Sequence, residues 1–179
     1  RLHTIILYLY TMQLEDKPIA LTGFMGSGKS TVGKALATRL GCDFVDLDAQ
    51  IVARCGKSIP EIFACGEATF REAEFQTLRA LLEERKGKLV IALGGGCITH
   101  APSRKLILDC CRSIYLHASL DCIRKRIGPS DSNRPLFSNA EALYSERQAL
   151  YQQAEISVET DDTPVYEIVN RLVRILEID

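Results

Sequence analysis

The sequence predicts an α/β fold in which a five-stranded parallel sheet is flanked by helices in three layers. Short apolar runs rich in β-forming residues alternate with helical stretches, which is the pattern of strand–helix–strand units. The chain of 179 residues is 46% hydrophobic and 25% charged, as expected for a globular unit with one sizeable core. No internal repeat or low-complexity linker divides it. We therefore expect a single domain.

The strands are predicted where apolar runs end at turn-forming or helix-starting residues. In chain order these runs are 18–21, 44–45, 89–93, 113–117 and 156–159. The run over 89–93 is uninterrupted, as is typical of a strand buried on both faces.

Helices are predicted where a helical pattern follows a strand, and none is predicted between the third and fourth strands. The first follows a glycine-rich loop and ends near 40, a long one covers 67–85, and another continues to about 153. Residues expected to interrupt or cap the helices are Gly41, Gly56, Gly66, Ser58 and Ser119. Pro164 is expected in the first turn of the closing helix.

Charge and cysteine content narrow the class of protein. The formal net charge is -1, with 22 basic and 23 acidic residues, which argues against a dedicated nucleic-acid binder and for a small substrate. The seven cysteines are odd in number and form no C-x-x-C pair, which argues against a disulfide framework or a zinc site. We expect buried free thiols in a reducing compartment, hence a cytoplasmic location, with a plastid as the alternative if a transit peptide was removed.

The N-terminal residues 1–11 do not fit the domain pattern. Their apolar patch over 5–10 is far shorter than the roughly 20 residues that span a bilayer. We expect 1–11 to be a non-native or disordered extension and 12–179 to form the domain, without membrane insertion.

A phosphate-binding motif lies between the first strand and the first helix. Residues 23–30 read GFMGSGKS and fit G-x-x-x-x-G-K-[ST] at every position. Glycines allow the backbone N–H groups to form a concave anion site, and the helix that starts there adds its positive dipole end. Lys29 would reach the terminal phosphates and the Ser30 hydroxyl would join the shell of Mg²⁺. This motif predicts the P-loop NTPase fold and a nucleoside triphosphate.

Two carboxylates follow the second strand. Asp46 and Asp48 are two residues apart, so in an extended segment both side chains would lie on the same side. One could help hold magnesium while the other faces an acceptor hydroxyl. The alternative is that Asp48 caps a helix that starts at Ala49.

Four further features suggest an anionic, hydroxylated acceptor, although each has an ordinary alternative. Arg71 could bind an anion or form a solvated helix pair with Glu67 or Glu74. The triple glycine 94–96 follows a buried strand, where ligands of α/β sheets bind, but it could be a flexible turn.

The remaining two features are arginines in the C-terminal half. Arg134 lies in a loop rich in turn formers, 128–138, and could close over a phosphoryl group or simply be an exposed charge. Arg147 in RQALY would by itself be an ordinary surface residue.

Taken together, these motifs resemble the shikimate kinase family from about Pro18 to the C-terminal helix. The matching segments are GFMGSGKS, VDLD, SIPEIF, GEATFREAE, LGGG, NRPLF and RQALY, in that order. The resemblance implies transfer of phosphate from ATP to the 3-hydroxyl of shikimate, with a substrate-binding region near 46–75 and a lid near 124–138. We expect a cytoplasmic monomer that needs no nucleic acid or membrane partner. The alternatives are another small-metabolite kinase, such as a gluconate-type sugar-acid kinase, or a non-catalytic nucleotide-binding relative.

The resemblance also implies a role for each matching residue. Lys29, Asp48 and Arg134 would be catalytic, and Asp48, Arg71, Gly94, Gly95, Gly96 and Arg147 would bind shikimate. ATP would contact Gly26, Ser27, Gly28, Lys29, Ser30, Thr31, Arg126 and Arg134, and Mg²⁺ would be held by Ser30 and, through water, Asp46. Arg124 and Arg126 both lie where the family places an adenine-stacking arginine, and the sequence does not decide between them.

Overall fold

The computed structural model describes residues 17–127 and 139–178, and within them five strands form one parallel sheet. The strands are β1 (Ile19–Thr22), β2 (Asp43–Asp46), β3 (Leu89–Ala92), β4 (Arg112–His117) and β5 (Ile156–Glu159). Their order across the sheet is β2-β3-β1-β4-β5. Ile19 is opposite Val90 of β3 on one side and Arg112 of β4 on the other. The predicted strands are confirmed to within one residue at each end.

Helices cover both faces of the sheet. In chain order they are α1 (Lys29–Leu40), α2 (Leu47–Cys55), α3 (Ile59–Ala64), α4 (Glu67–Glu84), α5 (Ala101–Cys110), α6 (Leu120–Ile127), α7 (Ala140–Tyr151) and α8 (Val165–Ile178), with a 3₁₀ turn at Cys97–Thr99. Ile19 and Leu21 of β1 pack with α1 and α8, whereas Ala20 packs with the helices of the opposite face. This alternation follows from strand geometry and gives the three predicted layers.

The predicted helix boundaries have local causes. Gly41 and Gly56 both adopt the left-handed conformation at φ 63°, which ends α1 and α2. The hydroxyl and the backbone N–H of Ser58 donate to the Glu61 carboxylate at 2.6 and 2.7 Å, which lowers the pKa of that carboxyl and fixes the start of α3. Ser119 Oγ accepts a hydrogen bond from the Cys122 N–H at 3.2 Å in the first turn of α6.

The structure corrects the prediction for the acidic segment after β2. The chain is not extended through Asp48, because α2 already begins at Leu47. Asp46, rather than Asp48, caps this helix by accepting the N–H groups of Asp48 and Ala49. Asp48 therefore lies in the first helical turn.

Two other expectations differ from the structure. The segment after the triple glycine, for which we predicted no helix, forms the 3₁₀ turn and α5, with a proline in the first turn of α5. The cysteines are not all buried: Cys97 and Cys111 are buried, but Cys55, Cys65 and Cys110 are exposed. None of these cysteines lines the cleft described below, although Cys97 shares a hydrogen bond with Glu74, which does.

Some sequence predictions fall on residues outside the described ranges. These are the extension 1–11, the loop 128–138 and, within it, Arg134. In the described part of the chain, no helix has both the length and the apolar character needed to cross a bilayer.

Candidate active site

A cleft of about 680 Å³ opens at the carboxyl ends of the strands, where α/β sheets bind ligands. The loop after β1, the end of β2 and the glycines after β3 all reach it, because parallel strands end on the same edge. Predicted site residues that line it are Gly26, Gly28, Lys29, Ser30, Thr31, Asp46, Asp48, Arg71, Gly94, Gly95, Gly96 and Arg147. Ser27 and Arg126 line an adjoining pocket of about 530 Å³.

The phosphate-binding loop is closed by its own lysine. Lys29 Nζ donates to the carbonyl oxygens of Gly23 and Phe24, both at 2.8 Å. Gly28, at the N-cap of α1, has φ 97°, a conformation that a residue with a Cβ rarely adopts. The loop therefore presents backbone N–H groups, the positive end of a helix and an ammonium group to one space, which is an anion site.

The described residues fit a magnesium ion next to this anion site. Ser30 Oγ donates to Asp46 Oδ2 at 2.7 Å, so a hydroxyl and a carboxylate oxygen already lie side by side. The other oxygen of the same carboxylate, Oδ1, caps α2 by accepting from the backbone N of Asp48 at 3.1 Å and of Ala49 at 3.3 Å. Capping thus fixes the carboxylate in place, and hard oxygen donors of this type suit Mg²⁺.

Arg71 forms a buried ion pair instead of a solvated one. Its side chain is 10% exposed and donates through Nη1 to Glu74 Oε2 at 2.8 Å, and Glu74 is 0% exposed. A second, longer bond from Nη2 reaches Glu67 at 3.2 Å. Burial raises the pKa of Glu74 to about 7, while the positive charge of Arg71 opposes that rise.

The three glycines after β3 are explained by what surrounds them. A Cβ on Gly96 would lie 2.2 Å from Arg71 Nη2, and one on Gly94 would lie 3.0 Å from Asp48 Oδ1. Gly95 lies against the phosphate-binding loop, where a Cβ would be 3.3 Å from the backbone N of Met25. These glycines let Arg71, Asp48 and the loop converge, so the alternative of a merely flexible turn is wrong.

Helix α7 brings a second arginine to the cleft. Arg147 is 7% exposed, and Tyr151, one turn further along the helix, is 1% exposed. The Tyr151 hydroxyl donates to the Gly95 carbonyl oxygen. Burial raises the pKa of Tyr151 to about 12, so the hydroxyl keeps its proton and remains a donor at neutral pH. Tyr151 therefore fixes α7, and with it Arg147, to the glycine segment.

The adjoining pocket distinguishes the two arginines of α6. Arg126 Nη1 lies 3.4 Å from the Ser27 carbonyl oxygen and 3.3 Å from Thr160 Oγ1, across the pocket mouth. Arg124 instead pairs with Glu141 and Asp121 and is 46% exposed. Arg126 is therefore the arginine that faces the space next to the phosphate-binding loop.

Comparisons with known proteins now identify the family. The family model described as shikimate kinase matches residues 25–177. The chain belongs to the shikimate kinase family. A shikimate kinase of Chlorobium chlorochromatii is 40% identical over 93% of this chain and 94% of the relative. One from Rhodopseudomonas palustris is 38% identical over 91% of this chain and 82% of the relative. The family expected from the sequence is thus confirmed.

Solved structures agree with the family and with the fold. The shikimate kinase from Acinetobacter baumannii in complex with shikimate has a TM-score of 0.83 and 32% identity, covering 93% of this chain and 96% of that one. A gluconokinase from Sinorhizobium meliloti 1021 has a TM-score of 0.56 at 20% identity, covering 90% of this chain and 94% of that one, and this likeness shows the fold alone. The predicted three-layer P-loop fold is confirmed.

Some side chains in or beside the cleft had no predicted role in the site. Glu74 anchors Arg71, and Tyr151 anchors the glycine segment. Phe63 and Phe70 stack at 4.3 Å between ring centroids and line the same cleft. The spacing of Glu74 from Arg71 and of Tyr151 from Arg147 was visible in the sequence, but burial was not.

Proposed function

We propose that this protein transfers the γ-phosphoryl group of ATP to the 3-hydroxyl of shikimate, giving shikimate 3-phosphate and ADP. The observation that carries the proposal is that two buried arginines, Arg71 and Arg147, share one cleft with Asp48 and the phosphate-binding loop. Such a cleft offers an anion site for a triphosphate and another for a carboxylate. Family membership supports the same reaction.

The triphosphate side is formed by the loop and its neighbours. Gly26 to Thr31 would bind the phosphates, and Ser30 with Asp46, the latter through water, would hold Mg²⁺. When bound, ATP with Mg²⁺ supplies the phosphoryl group and a divalent charge that neutralises its oxygens. Lys29 would exchange its two carbonyl partners for phosphate oxygens. Arg126 would contact the base from the adjoining pocket.

The acceptor side orients shikimate by its carboxylate. Arg71 is held by Glu74, and Arg147 lies on a helix that Tyr151 ties to Gly95, so both guanidinium groups are positioned before substrate binds. Positioned groups reduce the entropy that binding must remove. The backbone of Gly94, Gly95 and Gly96 would contact the ring.

Asp48 would act on the hydroxyl that attacks. Asp48 lies at the start of α2, next to Gly94 and on the magnesium side of the cleft. The shikimate ring would therefore extend from the two arginines to the Asp48 carboxylate. There Asp48 would orient the hydroxyl and accept its proton at Oδ1 or Oδ2 as the phosphoryl group is transferred. Arg134, which lies outside the described residues, stays proposed as the cation that covers the transferring group and helps exclude water.

An acceptor panel tests this function. ADP release would be measured with purified protein, ATP and Mg²⁺, and with shikimate, gluconate or a nucleoside monophosphate as acceptor. We expect release that depends on shikimate and little with the other two. Turnover with gluconate in preference to shikimate would favour the sugar-acid kinase alternative, and ATP binding without turnover on any acceptor would favour a non-catalytic relative.

We also propose that the enzyme is a monomer in the cytoplasm and needs no nucleic acid or membrane partner. The support is the balanced charge of the chain and the presence of the described site residues in one cleft of a single copy. Light scattering at assay concentration would give a mass near 19.9 kDa. Twice that mass under the same conditions would contradict the monomer.

A further inference from the structure

A partly exposed polar cluster joins α7 to the carboxyl ends of β4 and β5. His117 and Glu159 are the last residues of β4 and β5 and are directly opposite each other in the parallel register. His117 Nδ1 lies 2.6 Å from Glu159 Oε1, and Nε2 of the same ring lies 3.0 Å from the hydroxyl of Tyr144 on α7. The ring thus bridges two strands and a helix.

The contacts of this cluster hold both the ring and the tyrosine hydroxyl. Glu159 holds one side of the ring, because its two carboxylate oxygens lie 2.6 and 2.7 Å from His117 Nδ1. The Tyr144 hydroxyl lies 3.0 Å from the Ala118 carbonyl oxygen as well as 3.0 Å from His117 Nε2. Tyr144 is therefore attached to the end of β4 at two points.

Further polar groups surround the Tyr144 hydroxyl. Tyr115 shares a hydrogen bond with Tyr144, and burial raises the pKa of both phenols, so both keep their protons. Glu159 faces the ring from β5, and Asp161, in the segment after β5, adds negative charge near Tyr144.

Helix α7 connects the contacts of His117 with the acceptor site. Tyr144, Arg147 and Tyr151 are spaced by three and four residues, so they lie on one face of α7. Tyr151 fixes the C-terminal end of this face to Gly95, and Tyr144 fixes the N-terminal end to His117 and Ala118. Arg147 lies between these two attachments. The position of Arg147 therefore depends on both of these attachments of α7.

We propose that His117, held in place by Glu159, is a positioning residue that holds α7 so that Arg147 can bind the carboxylate of the acceptor. The inference rests on the proposed function, because Arg147 has a binding role only if the substrate is anionic. His117 does not line the cleft, so it acts through Tyr144 and not by contact with substrate.

Two conservative replacements separate the two ring nitrogens. His117→Gln places an amide donor where Nε2 lies, whereas His117→Asn places one only where Nδ1 lies. We expect His117→Asn and Tyr144→Phe each to raise KM for shikimate by roughly 3- to 10-fold, the effect of one lost hydrogen bond. The kcat and the KM for ATP should change by a smaller factor. The KM of His117→Gln for shikimate should remain close to that of the unmodified enzyme. The KM for shikimate of the double variant His117→Asn/Tyr144→Phe should be no higher than that of Tyr144→Phe alone.

The control is Tyr166→Phe, since Tyr166 is exposed on α8 and its hydroxyl donates to Glu167 at 3.1 Å, away from the cleft, so KM should be unchanged. Equal effects of His117→Asn and His117→Gln, or an unchanged KM in both His117→Asn and Tyr144→Phe, would overturn the inference. Failure of the unmodified protein to use shikimate would instead refute the proposed function, and this inference with it.

Discussion

The guanidinium of Arg71 lies directly against the backbone of Gly96, so closely that a Cβ at residue 96 would be 2.2 Å from Nη2. Gly96→Ala must therefore displace Arg71 from its position beside Glu74. Loss of one charged contact to the carboxylate costs about 1.5–3 kcal/mol, so we expect KM for shikimate to rise roughly 10- to 100-fold. Steady-state kinetics with shikimate varied would measure this, and KM for ATP should stay the same.

Gly87→Ala is the matched control for this substitution. Gly87 lies in an exposed turn between α4 and β3, and a Cβ there would meet no atom within 4 Å. It should leave both KM values unchanged. If Gly96→Ala behaved like Gly87→Ala, Arg71 would not be held against the glycine segment for binding.

Asp48 is expected to be required for transfer but not for nucleotide binding. Asp48→Asn keeps the size of the side chain and removes its ability to accept a proton. We expect kcat to fall by about 10²- to 10⁴-fold, the usual contribution of a general base, with the Kd for ATP unchanged in calorimetry. Asp43→Asn, an exposed position at the start of β2, serves as the control. Turnover that survived Asp48→Asn and also Asp48→Ala would refute the role assigned to Asp48.

Asp46 combines a structural and a metal-binding role, and two substitutions distinguish them. Asn is also a good helix cap, so Asp46→Asn should leave the melting temperature nearly unchanged while raising the Mg²⁺ concentration needed for half-maximal rate. Asp46→Ala should show the same Mg²⁺ effect and in addition lose about 1 kcal/mol of stability from the cap. The proposal for Asp46 fails if the Mg²⁺ requirement of Asp46→Asn is the same as that of the unmodified enzyme.

The buried Glu74 should make stability depend on pH. Its pKa is raised from 4.5 to about 7 by burial, so the folded protein retains a proton that the unfolded chain releases. This contribution is fully present below pH 4.5 and is lost as pH rises through about 7, with a slope of at most about 1.4 kcal/mol per pH unit. Denaturant unfolding at several pH values should therefore give a steeper decline for the unmodified protein than for Glu74→Gln. Parallel curves would show that Glu74 does not retain the proton.

Much of the fold could be predicted because its signals are local. The apolar runs of the five strands, the left-handed glycines and the capping serine of α3 each act within a few residues, and the structure confirms them. The phosphate-binding loop was equally clear, because its glycine spacing has a geometric cause. The start of α2 was missed because Asp46 and Asp48 are both good helix caps, and sequence alone does not rank them.

The burial of the acceptor site could not be predicted in the same way. Arg71 and Glu74 at a spacing of three residues look the same on an exposed helix as on a buried one. The difference comes from α4 packing against the glycine segment, a contact between distant parts of the sequence. Arg147 was indistinguishable from a surface residue for the same reason, until Tyr151 was seen to bond to Gly95.

The most direct test of the account is to incubate the unmodified protein with ATP, Mg²⁺ and shikimate and to follow both products. ³¹P NMR of the quenched reaction should show one phosphate monoester on the 3-hydroxyl of shikimate for each ADP formed, and no ester without enzyme. ADP that accumulated at the same rate with and without shikimate, or a phosphate on a different hydroxyl, would contradict the assignment of this cleft to shikimate phosphorylation.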